Sequence, residues 1–326
     1  MFFGRTYPAL HQTVCGLFFS NPIGLAAGFD YQARLPRLMP SLGFGFGTVG
    51  TLTNRPYGGN PGPMLGRLPK SRSLLVNKGF KNEGIGNVLG SMSPEPFSYP
   101  VGISIGRSND GSCTTEESSI ADIVDAFKTA EASSVPFAYY ELNISCPNLS
   151  SGVEFYNPSA LRKLLEAVGV LGISRPIFIK MPISKTDHEI LAIADEASRH
   201  AFVKGLIIGN LQRDRSHSAL KSDEVAKCTV GNFSGKPCRA RSDELISLVY
   251  QHYRERFVII GCGGVFNEED AYQKLARGAT LVMLITGLVY EGPQLVADIN
   301  ERLIRRLERE GKKSVSELIG ILETSV

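Results

Sequence analysis

AYYELNISCPN, residues 138–148, decides how the rest of the chain is read. The run Tyr139-Tyr140-Glu141-Leu142-Asn143-Ile144 alternates as a strand does and stops at Ser145-Cys146-Pro147-Asn148. Proline has no N–H for a sheet ladder, so the strand ends here and delivers Cys146 to the boundary between chain and solvent. Working outward, seven more short apolar runs have the same form: 21–28, 44–50, 101–106, 176–182, 205–210, 257–264 and 280–287. Most are too short for helices, and Gly or Pro bounds several of them. Amphipathic stretches lie between, such as SIADIVDAFKTAEA, PSALRKLLEAVGVLG and SDELISLVYQHYRER, the last opening on Ser242 as its N-cap. Near-continuous apolar strands alternating with helices imply a parallel sheet covered by helices. Eight of them predict an α/β fold, a (β/α)8 TIM barrel. We expect one domain over 1–326, with barrel strands from about 21 to 287 and a C-terminal helix over about 293–312.

Composition narrows the function. Apolar residues make up 43% and charged residues 21%, and the net charge is +3, which calls for no nucleic-acid partner. Six scattered cysteines (15, 113, 146, 228, 238, 262) contain no C-x-x-C pair, which supports neither a metal site nor a disulfide framework. The first residues, MFFGRTYPALHQTVCGLFF, read as neither a signal peptide nor a membrane span. We expect a cytoplasmic protein, with peripheral membrane association as the alternative.

Barrels of this type build their sites at the C-terminal strand ends. Those ends carry Gly28, Thr51, Ser104 to Arg107, Asn143 to Asn148, Lys180, Asn210, Gly263-Gly264 and Thr286-Gly287. GCGG (261–264) and ITG (285–287) suit a phosphate, which backbone N–H groups at tight glycine turns can hold. Lys180, inside the apolar run FIKMP, must reach solvent or a partner, because an unpaired buried ammonium is costly. Asn82, Asn143, Asn148 and Asn210 offer paired donors and acceptors suited to a flat ring with amide-like edges.

At this point the sequence resembles a known family. NPIGLAAGFD, GTLTNRPYGGNPGPMLGRLP, NKGFKNEGIGN, LNISCPN, FIKMP, GNFSGKP, IIGCGGV and GATLVMLITGLVYEGP resemble dihydroorotate dehydrogenase in order and spacing, from about residue 15 to about 300. The resemblance implies FMN across the top of the strands and oxidation of (S)-dihydroorotate to orotate in pyrimidine biosynthesis. It implies that Cys146 is the general base at C5 of the substrate while hydride leaves C6 for the flavin. A thiol of ordinary pKa near 8.5 suits that task if its surroundings favour the thiolate. By the same resemblance, Asn82, Asn143, Asn148 and Asn210 hold the substrate ring, and Lys180 lies near flavin N1/O2. Ala26, Ala27, Gly28 and Thr51 line the flavin, with Ser104 and Asn143 nearby. Gly235, Gly263, Gly264, Thr286 and Gly287 take the ribityl phosphate.

Two subtypes are mixed here. Most of the framework resembles the membrane-associated, quinone-linked class, but the cysteine base resembles the soluble class. The chain begins close to the first barrel strand, where the quinone-linked class has an extra helical domain. The acceptor is therefore open between quinone, fumarate and NAD, and a homodimer is the assembly common among relatives. An active-site lysine is also missing: one class has it where this chain reads Tyr31, the other where it reads Gly50. Lys78 or Lys81, in the nearby NKGFKNEG loop, could substitute, with plain surface charge as the competing reading of both, and Leu211-Gln212 replaces the hydroxyl residues usual after Asn210. The competing readings are an FMN barrel acting on another cyclic amide or enoate, a dihydrouridine synthase-like enzyme, and a barrel that binds FMN without turnover.

Overall fold

The computed structural model describes residues 4–150 and 152–323. Eight parallel strands close into a barrel: β1 (Ile23–Leu25), β2 (Phe46–Leu52), β3 (Val101–Ile105), β4 (Tyr139–Asn143), β5 (Ile177–Met181), β6 (Val203–Ile208), β7 (Val258–Cys262) and β8 (Leu281–Leu284). Each pairs with its sequence neighbours, and β8 pairs with β1 to close the ring. The fold is the (β/α)8 barrel expected from the eight apolar runs. Helices α1 (Ile85–Gly90), α2 (Glu116–Glu131), α3 (Pro158–Gly169), α4 (Asp187–Ser198), α5 (Ser222–Val225), α6 (Arg239–Tyr253), α7 (Glu268–Ala276), α8 (Thr286–Glu291) and α9 (Leu295–Arg309) follow strands β2 to β8.

The strands are apolar on both faces because both faces are buried. Outward-facing residues such as Ile103, Leu142 and Ile179 pack against the helices. Inward-facing Phe46, Tyr139, Phe178, Ile207 and Ile260 fill the barrel itself. The interior alternates bulk with space: a Cβ at Gly102 on β3 would lie 2.1 Å from the Tyr139 ring on β4. The Tyr139 ring also packs edge-on to Phe178, and its hydroxyl reaches Thr48 Oγ1 (2.8 Å), so the polar end is satisfied inside the core. A hairpin, Gln12–Val14 with Leu17–Phe19, closes the bottom, with Phe19 edge-on to Phe46.

Two local expectations are corrected. Ser242 is not an N-cap, since α6 begins three residues earlier, after the Lys236–Cys238 turn. Its hydroxyl is buried and donates to the Cys262 carbonyl (2.7 Å) while accepting from the buried Lys274 Nζ (3.0 Å). The basic first turn Arg239-Ala240-Arg241 hid the true start. The run 280–287 is strand only to Leu284, and Thr286 opens α8. Over the top of the barrel lies an antiparallel sheet of Leu65–Leu68, Ser73–Val76 and Asn232–Phe233, drawn from two different loops.

Candidate active site

The strand ends converge on one chain of hydrogen bonds. Asn210 Nδ2, after β6, donates to Ser145 Oγ (2.6 Å), which donates to Asn143 Oδ1 (3.2 Å) at the end of β4. Asn143 Nδ2 donates to Thr51 Oγ1 on β2 (2.9 Å). The Thr51 and Ser104 hydroxyls are 2.8 Å apart, and Ser104 Oγ on β3 donates to Glu141 Oε1 (2.7 Å). Lys180 Nζ on β5 meets the same oxygen at 3.4 Å. Because Asn143 and Ser104 donate at either end, Thr51 must donate to Ser104, so the chain runs in one direction onto the carboxylate. Such a chain is reinforced by mutual polarisation in a dry interior. Glu141 is 0% exposed and Lys180 5%, and Glu141 Oε2 has no hydrogen-bond partner among the described residues.

Above this floor is a cavity of about 330 Å³, continuous through Ala27, Lys180, Asn210 and Thr286 with a second of about 90 Å³. Cys146, Lys180, Asn143, Asn148, Asn210, Ala27, Gly28 and Thr51 all line the larger space. Ala26, Gly235, Gly263, Gly264 and Gly287 line the smaller one, and Thr286 borders both. Ser104 is one layer down, reaching the cavity only through Thr51. Asn82 is turned away from it: its Nδ2 donates to Thr53 Oγ1 and the Phe80 carbonyl, and its Oδ1 accepts from Gly84 N–H, so it braces its own loop. Asn148 is partly committed as well, donating to the Val76 carbonyl (3.0 Å) and accepting from Asn232 Nδ2 (2.6 Å) in the covering sheet.

The smaller space is shaped for an anion. Gly264 has φ +72°, and a Cβ at Gly287 would lie 2.0 Å from the Val265 carbonyl oxygen, so side chains are kept out and backbone stays accessible. The Ser234 and Thr286 hydroxyls, 2.8 Å apart, add donors at its edge. This is the chemistry that takes a phosphate.

The electrostatics separate the two candidate catalytic groups. Burial pushes the Cys146 thiol up to about 11, against the Asn148 backbone N–H, the Arg107 guanidinium and the Lys180 ammonium, which all favour the thiolate. The surroundings of this thiol therefore favour its neutral form, contrary to the expectation of a thiolate-favouring setting, because desolvation outweighs the three opposing contacts. Burial is the largest single influence on the Lys180 ammonium and works against its charge, yet its pKa is raised, because Glu141, first of the opposing contacts, acts together with Cys262 and Cys146.

Comparison with known proteins fits this arrangement. The sequence model of the family described as dihydroorotate dehydrogenase matches residues 9–307. The chain belongs to the dihydroorotate dehydrogenase family. Among its relatives is the dihydroorotate dehydrogenase (quinone) of Acaryochloris marina, 35% identical over 321 residues, covering 96% of this chain and 84% of the relative. The enzyme of the same name from Synechococcus elongatus is 34% identical over 327 residues, covering 98% and 85%. The ligand-free DHODH of Eimeria tenella superposes with a TM-score of 0.87 at 28% identity, covering 97% of this chain and 92% of that one. The family is one of flavin-dependent oxidoreductases, so the chain is an enzyme of that type.

Two residues around the dihydroorotate dehydrogenase site, Glu141 and Ser145, were given no role by the sequence reading, and Tyr31 entered it only as the place of a missing lysine. Glu141 carried a signal, since a carboxylate inside an otherwise apolar strand needs a partner for the same reason Lys180 does. Lys78 was considered only as a substitute charge. Its Nζ is 4.1 Å from the centre of the Tyr31 ring, and both residues line the larger cavity.

Proposed function

We propose that this chain oxidises (S)-dihydroorotate to orotate with FMN as its cofactor and a quinone as the final electron acceptor. The observation that carries the reading is the shared cavity: a lone thiol, Cys146, and a carboxylate-paired ammonium, Lys180, face one space among Asn143, Asn148 and Asn210. When bound, FMN supplies the acceptor for the hydride leaving C6. The glycine-edged space would hold its phosphate, with Ala27, Gly28, Thr51 and Lys180 along its ring. Lys180, kept charged by Glu141, supplies a fixed cation where negative charge develops.

The remaining chemistry belongs to Cys146. As thiolate it takes the C5 proton onto Sγ; the C5–H electron pair forms the C5–C6 double bond as the C6–H pair departs with the hydride. Asn143 and Asn210, each anchored through Ser145 or Thr51, present amide groups to the ring without needing to reorganise. The quinone assignment is supported by the names of the relatives and by the apolar cavity mouth, where Phe29, Leu65 and Val289 suit a neutral ring better than a dianion. A different cyclic amide is the second reading, favoured by Tyr31 and Gly50 at the positions where the family resemblance implies a lysine.

The test is anaerobic. Purified yellow protein mixed with dihydroorotate should bleach within seconds at the flavin's visible maximum. A flavin that dithionite bleaches but dihydroorotate does not would transfer the assignment to another substrate.

A further inference from the structure

Three lysines, Lys78, Lys81 and Lys180, line the larger cavity, and among the described residues only Lys180 has a carboxylate within ion-pair distance. Lys180 already has Glu141, at 3.4 Å. Lys78 has no carboxylate within ion-pair distance among the described residues, and its one described partner is the Tyr31 ring face. Its backbone is held on both sides. Next to it, the Asn77 side chain accepts from Asn60 Nδ2 (3.1 Å) and donates to the Pro61 carbonyl (3.1 Å), and the Gly79 carbonyl accepts from Asn109 Nδ2 (3.2 Å). Burial, and then the neighbouring Lys81, lower the Lys78 pKa, as expected of an ammonium placed where an anion is absent.

Position 50 cannot supply this charge. Gly50 has φ +99°, and a Cβ there would lie 2.7 Å from both the Ser104 carbonyl oxygen and the Leu52 nitrogen. Tyr31 cannot supply it either, but a phenol ring can orient a neighbouring ammonium through its negative face.

We propose that Lys78, seated on Tyr31, is the specificity residue that receives the substrate's carboxylate. The proposal rests on the functional reading above and sharpens it: the substrate is a cyclic amide that bears a carboxylate, and the plain ring is discriminated against. Lys78 comes from the loop after the covering strand Ser73–Val76, whereas the family resemblance implies a lysine at position 31 or 50, where this chain has Tyr31 and Gly50.

The test compares two planar ligands that differ in the carboxylate. Orotate and uracil are titrated into the flavin-loaded protein, and the equilibrium shift of the flavin spectrum is followed. Lys78→Met should weaken orotate roughly 10- to 100-fold, the worth of one charge-assisted hydrogen bond, and leave uracil within about threefold. Lys78→Arg should recover most of the loss. Equal orotate affinity in the wild type and Lys78→Met would overturn the proposal. So would an equal loss of both ligands, which marks a structural role, or a loss confined to Lys81→Met. A wild-type protein that is neither reduced by dihydroorotate nor perturbed by orotate would overturn the functional reading as well. Wild-type binding with an indifferent Lys78 would overturn this inference alone.

Discussion

Cys146 has a pKa pushed to about 11 by burial, and this sets its expected pH behaviour. Below that value the thiol is protonated and cannot accept a proton; above it the thiolate can. The rate of flavin reduction by dihydroorotate should therefore climb with pH through the range in which most enzymes of neutral optimum have levelled off. Stopped-flow traces from pH 6 to pH 10 check this, and a flat profile would mean another group takes the proton. Cys146→Ala should slow reduction by about 100-fold or more, within the usual range for a lost general base, while orotate still shifts the flavin spectrum. Lys180 and Glu141 form the second pair. Glu141→Gln removes the charge partner of a buried ammonium, and the usual cost of such a break is about 3 kcal/mol or more. The variant should melt earlier and release flavin on gel filtration; unchanged melting and retention would show that the pair is dispensable. That Cys146, Lys180, Asn143, Asn148 and Asn210 share one cavity could be anticipated from the sequence, because each is a polar residue at or just after the end of an apolar run. Glu141 carried the signal of a carboxylate inside an apolar strand, but its partners Ser104 and Lys180 could not be named, since they come from strands tens of residues away. Asn82 misled because a loop asparagine satisfies its own turn as readily as it faces a ligand.

At the level of elements, the barrel's interior is specified by pairs of neighbouring residues. Gly102 leaves the volume that Tyr139 fills, so Gly102→Ala should destabilise the protein by about 1–3 kcal/mol, the usual cost of overpacking. Adding Tyr139→Leu should recover part of that loss despite removing a large side chain. A double variant less stable than the sum of the two singles, by thermal or urea unfolding, would refute the pairing. The strands were legible because a parallel strand buried on both faces leaves a continuous apolar signature, interrupted by Gly where a neighbour is large. Helix starts were less legible. The capping box of Thr186 and Glu189 at α4 is local and visible, whereas α6 starts without a side-chain cap after a turn through Pro237. Ser242 then reads as a cap when its hydroxyl is spent on the end of β7. The covering sheet was not legible, because its strands are only two to four residues long and the third, Asn232–Phe233, joins the hairpin of Leu65–Leu68 and Ser73–Val76 from more than a hundred and fifty residues away.

For the molecule as a whole, closing the ring is what makes a site from dispersed residues. It sets the ends of β2 to β6 beside one another and leaves one open side, under the covering sheet. That side is apolar: Leu65 is 54% exposed at the cavity mouth, where an isolated leucine gains nothing from water, and Phe29, Leu74 and Val289 lie near it. No described helix is long and apolar enough to cross a membrane. The second half of the reaction can be predicted from this surface. Flavin first reduced by dihydroorotate should be reoxidised faster by a short-chain ubiquinone than by fumarate or NAD at equal concentration. Leu65→Ser should slow the quinone step more than the reductive step, because it alters the mouth and leaves the floor of Glu141, Ser104 and Thr51 in place. Reoxidation led by fumarate or NAD would overturn the quinone assignment while leaving dihydroorotate as the donor, since the two half-reactions are read separately in the same anaerobic cell.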